Sequence, residues 1–120
     1  MTVPTNRIKA GQTPADLLEH EFAQEMATAL GRLGRALEAA LAALADFDVA
    51  HPGGKAASAV DRGARATLVG EASLALWHFV VQREACGLRD MRQVLRDYRV
   101  PPEVAARMGI VLQSTKRAPC

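Results

Sequence analysis

Large apolar residues recur three and four positions apart from Phe22 through Met26, Leu30, Leu33, Leu37 and Leu41 to Leu44. That is the period of one helical face. Glu21, Glu25, Thr28, Arg32 and Arg35 fall on the other side, so the segment reads as an amphipathic helix with a solvated back. Ala23, Ala27 and Gly34 flank the stripe and would let a neighbouring backbone come close. The run Thr13-Pro14-Ala15-Asp16 supplies a start: Thr can cap, Pro fits the first helical position, and the Asp can return the capping hydrogen bond. The helix is expected to continue to about Asp46, roughly 50 Å at 1.5 Å per residue. A rod of that length needs partners of matching length.

The stretch HPGGK, His51 to Lys55, is the clearest interruption in the chain. Ser58-Ala59-Val60-Asp61 repeats the capping logic, so a second long helix starts near residue 59, or a turn later because Gly63 weakens its first turn. Leu68, Ala72, Ala75, Leu76, Phe79 and Cys86 make one apolar face. Leu74, Trp77, Val81 and Leu88 make a second, nearly opposite. A helix apolar on two sides is sandwiched: one face meets the first helix and the other needs a second partner. Gly87 marks a turn, and Asp90 with Gln93 caps a third helix carrying Met91, Leu95 and Tyr98 on the Leu88 side. Val100-Pro101-Pro102 ends it, since a residue before proline is pushed out of the helical region. Pro102 to Met108 forms a short fourth helix closed by Gly109. Residues 1–12 and 110–120 read as tails around one helical domain, 13–109. The expected fold is all-α: a long antiparallel helical hairpin plus one or two short C-terminal helices.

Composition agrees. Aromatics are 4% of the chain, so the core must be mostly Leu, Ala and Val, residues that with Arg favour helix over strand where Thr, Tyr and Ile are scarce. The longest Ala/Leu run is interrupted by Glu38 and too short to span a bilayer. Cys86 and Cys120 are not spaced as a disulfide framework or a metal motif, and no charged leader precedes an apolar segment. A reducing, cytoplasmic setting without membrane contact is the expectation.

The net charge of +2 excludes little, but its distribution says more. Asp16, Glu19, Glu21 and Glu25 form an acidic run free of Lys and Arg. Arg89, Arg92, Arg96 and Arg99 form a basic stripe against only Asp90 and Asp97. Opposite patches of this kind commonly set orientation, within a chain or across a dimer. The sharper alternative is a nucleic-acid-associated regulator, with the four arginines on phosphates. Only Tyr98 is interleaved for stacking on bases. A second route to nucleic acid is a degenerate helix-turn-helix over Pro101 to Arg117, which lacks the apolar residue a recognition helix wants near Thr115.

The segment LWHFVVQREACGLRD, Leu76 to Asp90, gathers a Trp, a His and a Cys. An enzyme or small-ligand binder would centre on His78, with Glu25 and Cys86 as neighbours. A metal would want a second ligand at helical offset from His78, and there is none. A nucleophilic Cys86 would want a base, and no His lies within helical reach. His78 is better read as hydrogen-bonded to Glu21 or Glu25, Trp77 as a packing anchor and Cys86 as a small buried hydrophobe. No phosphate loop, nucleophile elbow or dinucleotide fingerprint occurs. No catalytic, cofactor-binding or metal-ligating residue is assigned, and no cofactor is expected.

LWHFVVQREACGLRD and RDYRVPPEVAARMG, with EFAQEMATALGRLGRALEAAL in the first helix, resemble a family of small bacterial helical proteins known only as a domain of unknown function. The resemblance implies a free-standing small protein and carries no activity, cofactor or site. Without the resemblance, the pattern favours a non-enzymatic interaction or structural protein. An apolar second face contributes about 25 cal/mol per Å² when covered. A homodimer forming a four-helix bundle from two hairpins is therefore expected, with an unidentified protein partner as a further possibility.

Overall fold

The computed structural model describes residues 13–53 and 57–117, and all four elements it contains are helices. The first, α1, spans Pro14–Ala50; α2 spans Ala59–Ala85; α3 spans Met91–Asp97; α4 spans Pro102–Arg117. Each start is the one its local sequence encodes. Thr13 Oγ1 accepts from the Asp16 amide at 3.1 Å while the Asp16 carboxylate accepts from the Thr13 amide at 3.0 Å, a complete capping box. The Ser58 hydroxyl accepts from the Asp61 amide at 3.0 Å, and the Asp90 carboxylate from the Gln93 amide at 3.3 Å. Gly63 does not delay α2, because the Ser58 cap offsets the roughly 1 kcal/mol a helical glycine costs.

The ends are made differently from the expectation. α1 runs one turn past Asp46, to a half-buried Phe47 whose ring stacks on His51. α2 and α3 finish in the same reversal. At α2 the Gly87 amide donates to the Glu84 carbonyl and the Leu88 amide to the Arg83 carbonyl, with Gly87 at φ 85°. At α3 the Arg99 amide donates to Arg96 and the Val100 amide to Leu95, with Arg99 at φ 52°. Both are Schellman closures. Hence α3 stops through its own hydrogen bonds before Val100 and Pro101 are reached. α4 does not close at Gly109 but continues to Arg117. One glycine costs about 1 kcal/mol, too little to end a helix that good helix formers carry on. The alternative of a degenerate helix-turn-helix over Pro101 to Arg117 is therefore not realised, since one uninterrupted helix occupies 102–117.

The core lies where the four helices meet. Leu37 and Leu44 of α1 pack with Val69, Ala72, Leu76, Phe79 and Val80 of α2, and Val94, Val104 and Met108 close it from α3 and α4. Gly34 is buried, and a Cβ there would sit 2.9 Å from Tyr98 Oη and 3.2 Å from Phe79 Cε1. Tyr98 meets Phe79 edge-on at 5.1 Å, so this glycine is what lets the α3 end reach the hairpin. The fully buried Ser73 hydroxyl lies 2.8 Å from the Val69 carbonyl and 3.1 Å from that of Val104, which ties α2 to α4.

α2 does have two partners, α1 and α4. They do not cover the predicted second face. Leu74 remains 49% exposed, Val81 42% and Leu88 44%, while Trp77 is half-buried against the core edge. The first face is also displaced by part of a turn, running through Val69, Ala72, Ser73, Leu76, Phe79 and Val80. The stripe on α1 is likewise occupied only in part. From Leu30 onward it is covered, whereas Phe22 and Leu18 are each 65% exposed. The reason is length: 37 residues of α1 against 27 of α2 leave ~15 Å of helix without a neighbour.

Candidate functional site

The residues singled out in the sequence are spread over separate surfaces. Arg89, Arg92, Arg96 and Arg99 are all exposed. Only Arg92 and Arg96 share a helical face, one turn apart on α3, because Arg89 precedes the Asp90 cap and Arg99 follows the helix in its left-handed reversal. Glu25 is exposed on α1 and borders a shallow depression of about 440 Å³ with Glu21, Gln24 and Thr28. His78 is exposed on α2, its ring 5.3 Å from that of Trp77, and the expected hydrogen bond to Glu21 or Glu25 is not among those of the described residues. Cys86 is half-buried at the end of α2, where Gln82 Nε2 lies 4.0 Å from its sulfur. It is a capping residue, less enclosed than its apolar neighbours suggested. Among the described residues no three His, Cys, Asp or Glu side chains converge as metal ligands. Trp77 carries a buried indole N–H without a partner among them.

A larger concavity than the one beside Glu25 lies elsewhere among the described residues, at the turn end of the hairpin. A cleft of about 700 Å³ opens between the last turns of α1 and the first turns of α2 and α4. Phe47, Ala66 and Val69 form its apolar floor, and His51 stacks on Phe47 with ring centres 4.2 Å apart. Across one wall, Arg65 joins the three helices. Its Nε and Nη2 donate to the Asp48 carboxylate at 2.7 and 3.0 Å, and its Nη1 and Nη2 donate to Glu103 at 2.8 and 2.7 Å. Two bidentate pairs on one guanidinium use four of its five N–H donors. The remaining rim carries Arg62, Arg107, His51 and Asp61.

Hydrogen bonding from Arg65 holds both the Asp48 and the Glu103 carboxyls below their ordinary range, against a smaller opposing effect of burial, and holds the Arg65 guanidinium ionised. Because the folded carboxyls titrate below the unfolded ones, this stabilisation is complete above the unfolded values of about 4 and is lost as pH falls through the folded ones. Thermal unfolding followed by circular dichroism is expected to show the midpoint falling on acidification below about pH 4. Arg65→Met should flatten that part of the profile. An unchanged slope in the variant would mean that other carboxylates control it. The partners are one-third to one-half exposed, so the contribution is that of a screened surface network.

The Arg65 clamp was absent from the sequence reading, yet a signal for it existed. The midpoint between Asp48 and Arg65 coincides with that between Gly34 and Phe79, inside the turn that HPGGK begins. Folding the two rods about that point places Asp48 beside Arg65. Glu103 reaches the clamp only through the packing of α4, which no local pattern encodes.

A helical hairpin with α4 laid against its second rod and the short α3 closing the core is the class of protein defined here. The chain belongs to a family of unknown function, DUF6665, whose model matches residues 3–116. No curated protein matches it, and no solved structure does. No described helix is long and apolar enough to cross a membrane.

Proposed function

We propose that the chain is a non-enzymatic helical interaction protein and that its partner is a second copy of itself, two hairpins associating into a bundle. The observation that carries this is the outer half of α1. A capped helix extends beyond its intrachain neighbour with Leu18 and Phe22 65% exposed. An isolated helical extension of this kind is marginal in water, because most helix stability in proteins comes from packing an amphipathic face. Charge supports the choice of occupant. Asp16, Glu19, Glu21 and Glu25 along the extension and Arg89, Arg92, Arg96 and Arg99 near α3 are all exposed. The only ion pairs among the described residues are those of Arg65. A twofold axis would set acid of one protomer against arginine of the other twice, as an isologous contact requires. Leu74, Val81 and Leu88 of α2 offer further apolar surface to the same association.

Size-exclusion chromatography with light scattering at about 50 μM tests it. The expected mass is twice the 12.8 kDa of the chain. Burying a Leu or Phe contributes about 1.5–3 kcal/mol. Leu18→Asp with Phe22→Asp should therefore weaken association more than 100-fold and yield monomer, with helix content retained in the hairpin. Arg92→Ala with Arg96→Ala should weaken it less, and added salt should mimic that change. A wild-type monomer at this concentration refutes the reading. The four arginines also support a second one, contact with nucleic-acid phosphates. Retention of duplex or RNA at low salt by a monomer, lost in the double Arg variant, would establish that in its place.

A further inference from the structure

We propose that the cleft at the turn end of the hairpin is a binding site for a small amphipathic carboxylate: an organic molecule with an aliphatic or aromatic body and a single negative charge. The proposal is independent of self-association, which concerns the other end of α1.

The volume, about 700 Å³, lies within the range of small-molecule pockets, and a mostly apolar lining with a few polar groups is their usual character. Phe47, Ala66 and Val69 would take the body of the ligand. The charge preference follows from what the rim groups already do. Arg65 spends four of its five N–H donors on Asp48 and Glu103, and both carboxylates are paired with it, so these three groups offer neither an unpaired cation nor a free metal-binding pair. Arg62 and Arg107 face the cleft without a carboxylate partner among the described residues. Arg62 spends one N–H on the Ala57 carbonyl. Arg107 lies flat against α2 at Gly70, where a Cβ would come within 3.2 Å of its Nη2. Each planar fork retains donors that match a carboxylate in bidentate fashion.

Charge also limits the ligand to one negative group. The lining holds three arginines against Asp48, Asp61 and Glu103, which sum to zero with His51 neutral. Away from the Arg65 clamp, Arg62 and Arg107 stand against Asp61 alone, one positive charge in excess, which a monoanion neutralises locally and a phosphate dianion or polyanion exceeds. His51 gives the carboxylate no hydrogen bond: its Nδ1 donates to the Phe47 carbonyl, so Nε2 of the neutral ring is an acceptor, and the residue contributes only its face, stacked on Phe47.

Octanoate and 2-naphthoate are suitable probes, with 1-octanol as the uncharged control. Titrations of the full chain by amide nuclear magnetic resonance should shift resonances of residues 47–51, 61–69 and 103–107 with saturable, millimolar or tighter affinity for the acids. Octanol should bind at least tenfold more weakly. Arg62→Ala with Arg107→Ala should weaken octanoate at least tenfold while leaving octanol unchanged. Both arginines are exposed, so the fold should survive, as circular dichroism can verify. Ala66→Trp, which fills the floor, should abolish binding of both. Equal affinity for octanoate and octanol would overturn the charge assignment. No saturable shift at these residues with any probe at 10 mM would overturn the site itself.

Discussion

Leu76→Ala is expected to destabilise the chain by about 2–5 kcal/mol, the range for emptying a buried leucine site. For a domain of this size that lowers the thermal midpoint by roughly 10–20 °C. Leu76 has no exposed surface and sits at the centre of the contacts among α1, α2 and α4, with Leu37, equally buried, in the facing position on α1. Removing three carbons from that point takes away both the transfer free energy and the packing that helices cannot recover without moving together. The control is Val60→Ala. Val60 is 80% exposed in the first turn of the same helix, and its truncation should stay within about 0.5 kcal/mol. Urea unfolding of both variants checks the pair. A Leu76→Ala loss below about 1 kcal/mol would mean that the core is not where the helices converge.

A second large effect is expected at Gly34. Alanine there gains up to about 1 kcal/mol of helix propensity, yet its Cβ would stand 2.9 Å from Tyr98 Oη. Valine adds methyl groups toward Phe79, which is already 3.2 Å from the first carbon. Gly34→Val should therefore cost about 1–3 kcal/mol, the range for overpacking, because a β-branched residue gains less helix propensity over glycine than alanine does to offset it. The informative variant is Gly34→Ala combined with Tyr98→Phe. It removes the oxygen that collides, so the double variant should be more stable than the two single changes predict when added. Burial raises the pKa of the Tyr98 phenol above its ordinary value, as expected for a hydroxyl held in this contact. Additive effects in thermal unfolding would show that Tyr98 does not limit the approach at Gly34.

The four helix starts were legible because each is encoded within four residues: Thr13 with Asp16, Ser58 with Asp61, Asp90 with Gln93, and proline at the head of α4. The face of α1 that packs was legible from Leu30 onward, since a stripe of leucines at helical spacing has one physical use. Which part of that stripe finds a neighbour was not, because coverage depends on the length of another helix. That is why Phe22, on the same stripe as Leu37, is exposed. α2 shows the complementary limit. Val69, Ser73 and Val80, outside both expected faces, are buried because α1 and α4 approach from directions a wheel diagram does not contain. The cleft was invisible for the same reason. Phe47, Arg62 and Arg107 are unremarkable singly and meet only through the docking of α4. His78 and Glu25, the chemistry-bearing residues that attract the eye, are both exposed and border no common cavity.

The two left-handed closures deserve comparison as a matched pair. Nature's inexpensive solution, a residue with no side chain, stands at Gly87, whereas the same geometry 12 positions later is imposed on Arg99. L-residues with a Cβ hold that conformation at a cost of roughly 1–2 kcal/mol. The chain thus carries a reserve of unclaimed robustness at a single exposed position, reachable by Arg99→Gly without disturbing the interior. The same replacement deletes one of the four cations beside α3, so hardiness and surface charge are set against each other on one side chain.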